Sequence, residues 1–171
     1  MKLKQQKKLE TKELAYIAGF IDGDGSIMTQ IVRDKSYKYG HTIRVTVALY
    51  QKTSRHWYLI KLRKLLGRDW SLRKRTDGMS VLSRTGFTPI RNFLTLIKPY
   101  LLLKPRLASL VLQIIDEYTQ VQSEADFLKV CKLVDKTAEY TDSKKRKHTY
   151  SSVQDYLNSP VETEKEYPSD S

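Results

Sequence analysis

From Thr42 to Tyr50 apolar and polar side chains alternate without a slip, with Ile43, Val45, Val47 and Leu49 on one side and Thr42, Arg44, Thr46, Ala48 and Tyr50 on the other. A period of two belongs to an extended strand, whose successive side chains point to opposite faces. Such a strand must bury one face and leave the other for water or a partner, which is the habit of antiparallel sheets. The run Ser26 to Arg33 precedes it, with Met28, Gln30, Val32 and Asp34 opposite Ile27, Thr29, Ile31 and Arg33, and the polar segment from Asp34 to His41 joins the two. The pattern predicts a hairpin with one greasy face and one face of hydrogen-bonding and charged groups. A second hairpin is expected from Trp70 to Ser83, turning at Thr76-Asp77-Gly78, because Asp-Gly is a strong turn signal.

Helical spacing surrounds these strands. Leu14, Ile17, Ala18 and Ile21 predict a helix from Thr11, its cap, to Asp22, ended by the glycines of Asp22-Gly23-Asp24-Gly25 through a left-handed turn. Ser54 is placed to cap a helix to Leu66, with Gly67 to stop it. Thr88 and Pro89 open another, Pro105 a fourth, and Ser123 to Asp126 resembles a capping box ahead of Phe127, Val130, Cys131 and Val134. A weak helix is expected from Ser152 to Leu157. The order α-β-β-α-β-β-α, followed by extra C-terminal helices, predicts an α+β fold with helices on one face of an antiparallel sheet and the other face open. The expected division is a basic arm over 1–10, one domain over 11–157, and an acidic, disordered tail over 158–171. At 171 residues such a chain can build a core without disulfides. One cysteine and three histidines exclude a disulfide framework and the common zinc modules. No apolar run approaches the length of a membrane span.

Charge is distributed one-sidedly. The net charge is +12, and the stretch Thr29 to Thr88 alone holds fourteen basic residues against Asp34, Asp69 and Asp77, a balance of +11. No glutamate occurs between Glu13 and Glu117. Solvated surfaces mix both signs, so a folded segment this biased points to a polyanion. The cations fall on strands rather than on an amphipathic helix, which favours nucleic acid over an anionic membrane.

The remaining chemistry is concentrated in Ile17-Ala18-Gly19-Phe20-Ile21-Asp22-Gly23-Asp24-Gly25. A carboxylate fixed at a helix end beside backbone carbonyls suits a hard divalent cation, although the bare spacing fits a plain turn equally well. A calcium loop is excluded, because counting from Asp22 puts Ile27 at the sixth position and Arg33 at the twelfth. This stretch resembles the motif of the LAGLIDADG homing endonucleases. The resemblance, to the family's single-motif members, continues through Gly25-Ser26-Ile27, Gln51-Lys52-Thr53, Asn92-Phe93-Leu94-Thr95, Leu103-Lys104, Val130-Cys131 and Asp142-Ser143-Lys144.

It implies a nuclease that cuts both strands of a long, pseudo-palindromic DNA site with Mg²⁺, with Asp24 and the Gly23 carbonyl as metal ligands. Gln51, Arg55 and Lys104 match the family's other site residues, expected to orient water, position water or phosphate, and stabilise developing charge. One motif supplies one carboxylate, whereas a two-metal clamp needs carboxylates on both sides of the phosphate. The resemblance therefore implies a homodimer joined along the first helix, through Leu14, Ala15, Ile17, Ala18 and Gly19. The family lays the open sheet face into DNA as a saddle. Alternation then nominates Met28, Gln30, Val32, Asp34, Ser36, Tyr37, Thr42, Arg44, Thr46 and Ala48, and Arg73, Lys74 and Arg75 in the second hairpin, of which Arg73 and Arg75 are favoured. Ser143, Lys144, Lys145 and Lys147 are expected to hold phosphates. An intron-RNA-binding maturase and a non-cleaving DNA-binding regulator are the alternatives on the same scaffold. The resemblance also implies residence in an organelle with its own genome, the chloroplast.

Overall fold

The computed structural model describes residues 9–142 and 144–159. The basic arm up to residue 8, Ser143, and the acidic tail from residue 160 lie outside the described residues. Four strands form one antiparallel sheet in the order β1-β2-β4-β3, with β1 Gly25–Arg33, β2 His41–Lys52, β3 Ser71–Lys74 and β4 Met79–Thr85. Among the described residues six α-helices accompany them: α1 Thr11–Asp24, α2 His56–Leu66, α3 Phe87–Ile97, α4 Pro105–Thr119, α5 Glu124–Lys136 and α6 Tyr150–Asn158. The expected α-β-β-α-β-β-α order and the further helices are all present.

Register carries the alternation of the sequence directly into two faces. Ile27 pairs with Val47, Ile31 with Ile43 and Leu49 with Leu82, and all six side chains are buried. This face meets Ile17, Ala18 and Ile21 of α1, Leu59 of α2, Ile90 and Leu94 of α3, and the apolar stripes of α4 and α5, in one continuous core. Cys131 lies within it, where burial pushes its thiol up to about 12, so it stays protonated and unreactive. The opposite face carries Gln30, Arg44 and Arg73, all exposed.

Several ends differ from the sequence reading. Helix α1 runs two residues past Asp22, and its N-cap is Glu10, paired with Glu13 in a capping box, rather than Thr11. No left-handed turn ends it, because Gly25 is extended (φ −100°). Glycine is required there for a steric reason instead, since a Cβ at 25 would lie 2.7 Å from the Ile21 Cα. A 3₁₀ turn over Thr53–Arg55 precedes α2, so Arg55 rather than Ser54 is the cap. Gly86 at φ 119° takes the capping place ahead of α3 and leaves Thr88 inside the helix. The Ser123–Asp126 capping box and the turn with Gly78 at φ 77° form as expected.

Gly25→Ala is expected to lower stability by about 1–3 kcal/mol through overpacking, a fall in Tm of roughly 2–12 °C for a chain of this size. Gly23→Ala, inside α1 with open space at its Cβ position, is expected to leave Tm unchanged or raise it slightly. Thermal melts followed by circular dichroism check both, and equal effects would refute the steric account.

Candidate nuclease site

The last turn of α1 delivers Asp22, Gly23 and Asp24 to the corner where β1 begins and β2 ends. A helix end leaves four carbonyls without intrahelical partners. Here the Lys104 ammonium answers them, donating to the carbonyls of Ile21 at 2.6 Å, Asp22 at 3.1 Å and Gly25 at 2.8 Å. The Asp22 carboxylate replies across the same junction, accepting from the backbone N–H groups of Leu102 at 2.6 Å, Leu103 at 3.1 Å and Lys104 at 3.1 Å. The two residues thus weld α1 to the segment leading into α4. Partial burial pulls the Lys104 pKa down, opposed by the charges of Asp22, Asp142 and Asp24.

Asp24 itself stays exposed and outward. Its Oδ2 accepts from Gln51 Nε2 at 3.0 Å, and Gln51 Oε1 accepts from Arg55 Nη1 at 3.3 Å. Arg55, Gln51 and Asp24 therefore form a line of three side chains, each orienting the next. Three of the four expected catalytic residues meet in this line. Lys104 joins the same corner from beneath, with its donors turned to the end of α1. The donors offered are hard oxygens, a carboxylate and helix-end carbonyls, and these suit a hard divalent cation. Among the described residues no group of three or more His, Cys, Asp or Glu side chains gathers to hold a metal.

The expected dimer helix divides into two faces. Leu14, Ile17 and Ala18 are turned into the protein's own core and are unavailable to a partner, which corrects that part of the expectation. Ala15 and Gly19 face outward, together with Lys12, Tyr16 and Gly23. The sequence reading missed the large apolar groups beside this stripe. Tyr16, Trp57 and Ile60 are exposed, and Leu102 and Leu103 are 87% and 77% exposed on the strap held by Asp22. Tyr16 and Tyr58 share a hydrogen bond of 2.5 Å across α1 and α2. The run Leu101-Leu102-Leu103 directly ahead of Lys104 was the signal available in the sequence.

On the open sheet face a concavity of about 390 Å³ is lined by Met28, Thr46, Tyr50, Arg73, Arg75 and Val81 among others. Gln30, Arg44 and Tyr37 are exposed, and Val32 is half-buried on the same side. Other nominated residues have different employment. Ala48 is 1% exposed and forms floor rather than contact surface. Thr46 shares a hydrogen bond with Thr85 at 2.9 Å, and Thr42 one with the Tyr118 hydroxyl at 2.9 Å. Asp34 accepts from the Ser36 N–H and hydroxyl, which shapes the hairpin tip and holds its carboxyl below the usual range. Lys74 pairs with Ser80, whose side chain is buried on the helix side against His56, so alternation turns Arg73 to the open face, while the exposed Lys74, at the end of β3, also lines the concavity. Arg75 is drawn to Asp77 at 2.7 Å.

The family model described as LAGLIDADG endonuclease matches residues 17–134. The chain belongs to the LAGLIDADG endonuclease family. It is 40% identical over 162 residues, 94% of this chain and 98% of the relative, to DNA endonuclease I-CreI of Chlamydomonas reinhardtii. It is 39% identical over 134 residues, 78% and 83% of the two chains, to DNA endonuclease I-CvuI of Chlorella vulgaris. I-CvuI bound to the I-CreI target with 2 mM Mg and uncleaved DNA superposes with a TM-score of 0.80 at 36% identity, covering 85% of this chain and 92% of that one. An archaeal intron-encoded enzyme, I-Vdi141I on DNA, shares the fold at a TM-score of 0.75 and 18% identity, over 87% and 96% of the two chains.

Asp22→Ala and Lys104→Met are each expected to lower stability by about 1–3 kcal/mol, because each leaves partly buried polar groups unpaired. The double variant is expected to fall short of the sum, since both hold one junction. Urea titrations of the four proteins decide the matter, and strict additivity would mean that the two caps work independently.

Proposed function

We propose that this chain is a homing endonuclease that cleaves both strands of a long, pseudo-palindromic double-stranded DNA site by Mg²⁺-dependent phosphodiester hydrolysis, acting as a homodimer. The observation that carries the reading is the line Arg55–Gln51–Asp24 at the end of a motif helix whose outward face carries the small residues Ala15, Gly19 and Gly23. Two such helix ends side by side bring two Asp24 carboxylates to one place, which supplies what a single copy lacks. A symmetric pair of readers calls for a near-symmetric target.

The residues divide the work as follows. Asp24 and the Gly23 carbonyl would hold the cation, which supplies Lewis-acid stabilisation of the phosphate oxygens. Gln51 fixes the Asp24 carboxylate through its N–H group, and Arg55 fixes Gln51 through its carbonyl. Gln51 and Arg55 are the groups that position the attacking water and the phosphate. Lys104 holds the end of α1 rigid and adds positive field beneath Asp24. On the open face, Gln30 suits adenine and Arg44 guanine through bidentate contacts in the major groove. The algal sources of I-CreI and I-CvuI support residence in the chloroplast.

Incubation with Mg²⁺ and a plasmid bearing the I-CreI target, the DNA on which I-CvuI was crystallised, is the first test, followed by selection of cleaved sites from a random library. Wild type is expected to linearise the selected site, and Asp24→Asn to cut at least about 100-fold more slowly while binding the duplex within a few-fold of wild type. Equal cutting by Asp24→Asn would overturn the site assignment. Tight intron-RNA binding with no cutting by either protein would turn the reading to a maturase. The affinity for DNA is also expected to fall with salt at a log–log slope of about −0.9 per phosphate contacted, and a flat plot would remove the electrostatic argument.

A further inference from the structure

The segment after α5 carries four cations in a row, Lys144, Lys145, Arg146 and Lys147, and the structure gives them unequal work. Lys144 Nζ donates to the carbonyls of Ala138 at 2.5 Å and Thr141 at 2.7 Å, so it closes the turn behind α5 instead of reaching outward. This corrects the expectation that Lys144 is a phosphate contact. Arg146 is turned inward altogether. Its Nη1 donates to the Thr29 carbonyl at 3.3 Å, and its Nη2 to the hydroxyls of Thr137 at 3.2 Å and Thr141 at 3.3 Å. Lys145 and Lys147, on either side of it, are exposed, and neither stands in an ion pair among the described residues.

The acceptors of Arg146 are well anchored. Thr29 and Thr137 are buried, their hydroxyls meet at 3.2 Å, and Thr137 donates on to the Val134 carbonyl at 2.7 Å. Asp135 supplies the opposite charge from α5. Its Oδ2 accepts the first N–H of α6, from Tyr150, at 2.8 Å, while its Oδ1 and the Arg146 Nε are buried without hydrogen-bond partners among the described residues. One guanidinium therefore ties the loop to β1 and to the turn that follows α5, beside the Asp135 carboxylate that holds the start of α6. Only a planar fork with several N–H groups can span these acceptors, which a lysine ammonium cannot do. Thr29 sits in β1, the edge strand of the sheet, next to exposed Gln30.

We propose that Arg146 is a positioning residue, which fastens the basic loop to edge strand β1 so that Lys145 and Lys147 meet the DNA backbone, and which makes no DNA contact itself. The inference rests on the DNA-cleaving reading above.

The test measures duplex affinity of the full chain against salt by fluorescence anisotropy, using a site selected by cleavage and a scrambled duplex. Lys145→Ala/Lys147→Ala is expected to reduce the log–log slope by about 2 per protomer, from two lost phosphate contacts. Arg146→Met and Arg146→Lys are both expected to reproduce that loss, and adding Arg146→Met to the double variant should change the slope no further. Thr141→Ala, which removes one acceptor and leaves the core intact, is expected to give part of the effect even if an Arg146 variant does not fold. Full rescue by Arg146→Lys, or an additional loss of about 0.9 on top of the double variant, would show that Arg146 touches phosphate and overturn the proposal. An unchanged slope in folded Arg146→Met protein, with only its Tm lowered, would also overturn it. Failure of the wild-type protein to bind either duplex would instead sink the underlying DNA reading.

Discussion

The reciprocal bonding of Asp22 and Lys104 is the constraint on which the site depends. A helix that stops abruptly exposes carbonyls, and a chain that enters a helix exposes N–H groups. Here one cation and one carboxylate, 82 residues apart in sequence, satisfy both sets at a single junction through six hydrogen bonds. Because Lys104 answers the carbonyls, α1 needs no left-handed glycine cap and can run on to Asp24. Because Gly25 admits the Ile21 backbone so closely, β1 can start on the next residue. Asp24 thereby lies at the rigid meeting point of a helix and two strands, as a metal-binding carboxylate requires.

Around that point the molecule separates its two kinds of surface. The sheet buries one face under helices and leaves the other basic and open, and α1 does the same on a smaller scale. Its large aliphatic residues go inward, while Ala15 and Gly19 remain outside beside Tyr16 and the bare Leu102–Leu103 strap. Small residues on an outward helix face permit close approach of another helix, and large apolar groups at its rim offer area to bury. A lone copy leaves both unused, in keeping with a site that holds one carboxylate where two-metal hydrolysis needs carboxylates on both sides.

Chemical type alone does not reveal the work a side chain does. Lys144 and Lys145 are neighbours, yet one caps carbonyls and the other faces water. Thr42 lies on the reading face by alternation, but at the edge of the sheet its hydroxyl is taken by Tyr118. Ala48 has the right parity and almost no accessible surface. In each case a residue from a distant part of the chain decides the outcome.

Much of the architecture was legible beforehand. The alternation of β2, the helical stripes, the Asp-Gly turn and the Ser123 box report local physics, since strand parity, helix pitch and turn chemistry need only near neighbours. The clustering of Asp24, Gln51 and Arg55 was legible only through family resemblance, because no spacing shows that a helix end meets the last residues of a strand. Helix ends were misread at Thr11, Ser54 and Thr88, where Glu10, Arg55 and Gly86, a residue or two away, took the cap position. By itself the sequence determined which faces are apolar, how strongly charged the open face is, and which carboxylates end the motif helix. The tertiary structure decided which of those side chains remain available, inward for Lys104, Arg146 and Ile17, outward for Asp24, Tyr16 and Leu103. Availability is a property of what packs against a residue, and those neighbours come from elsewhere in the chain.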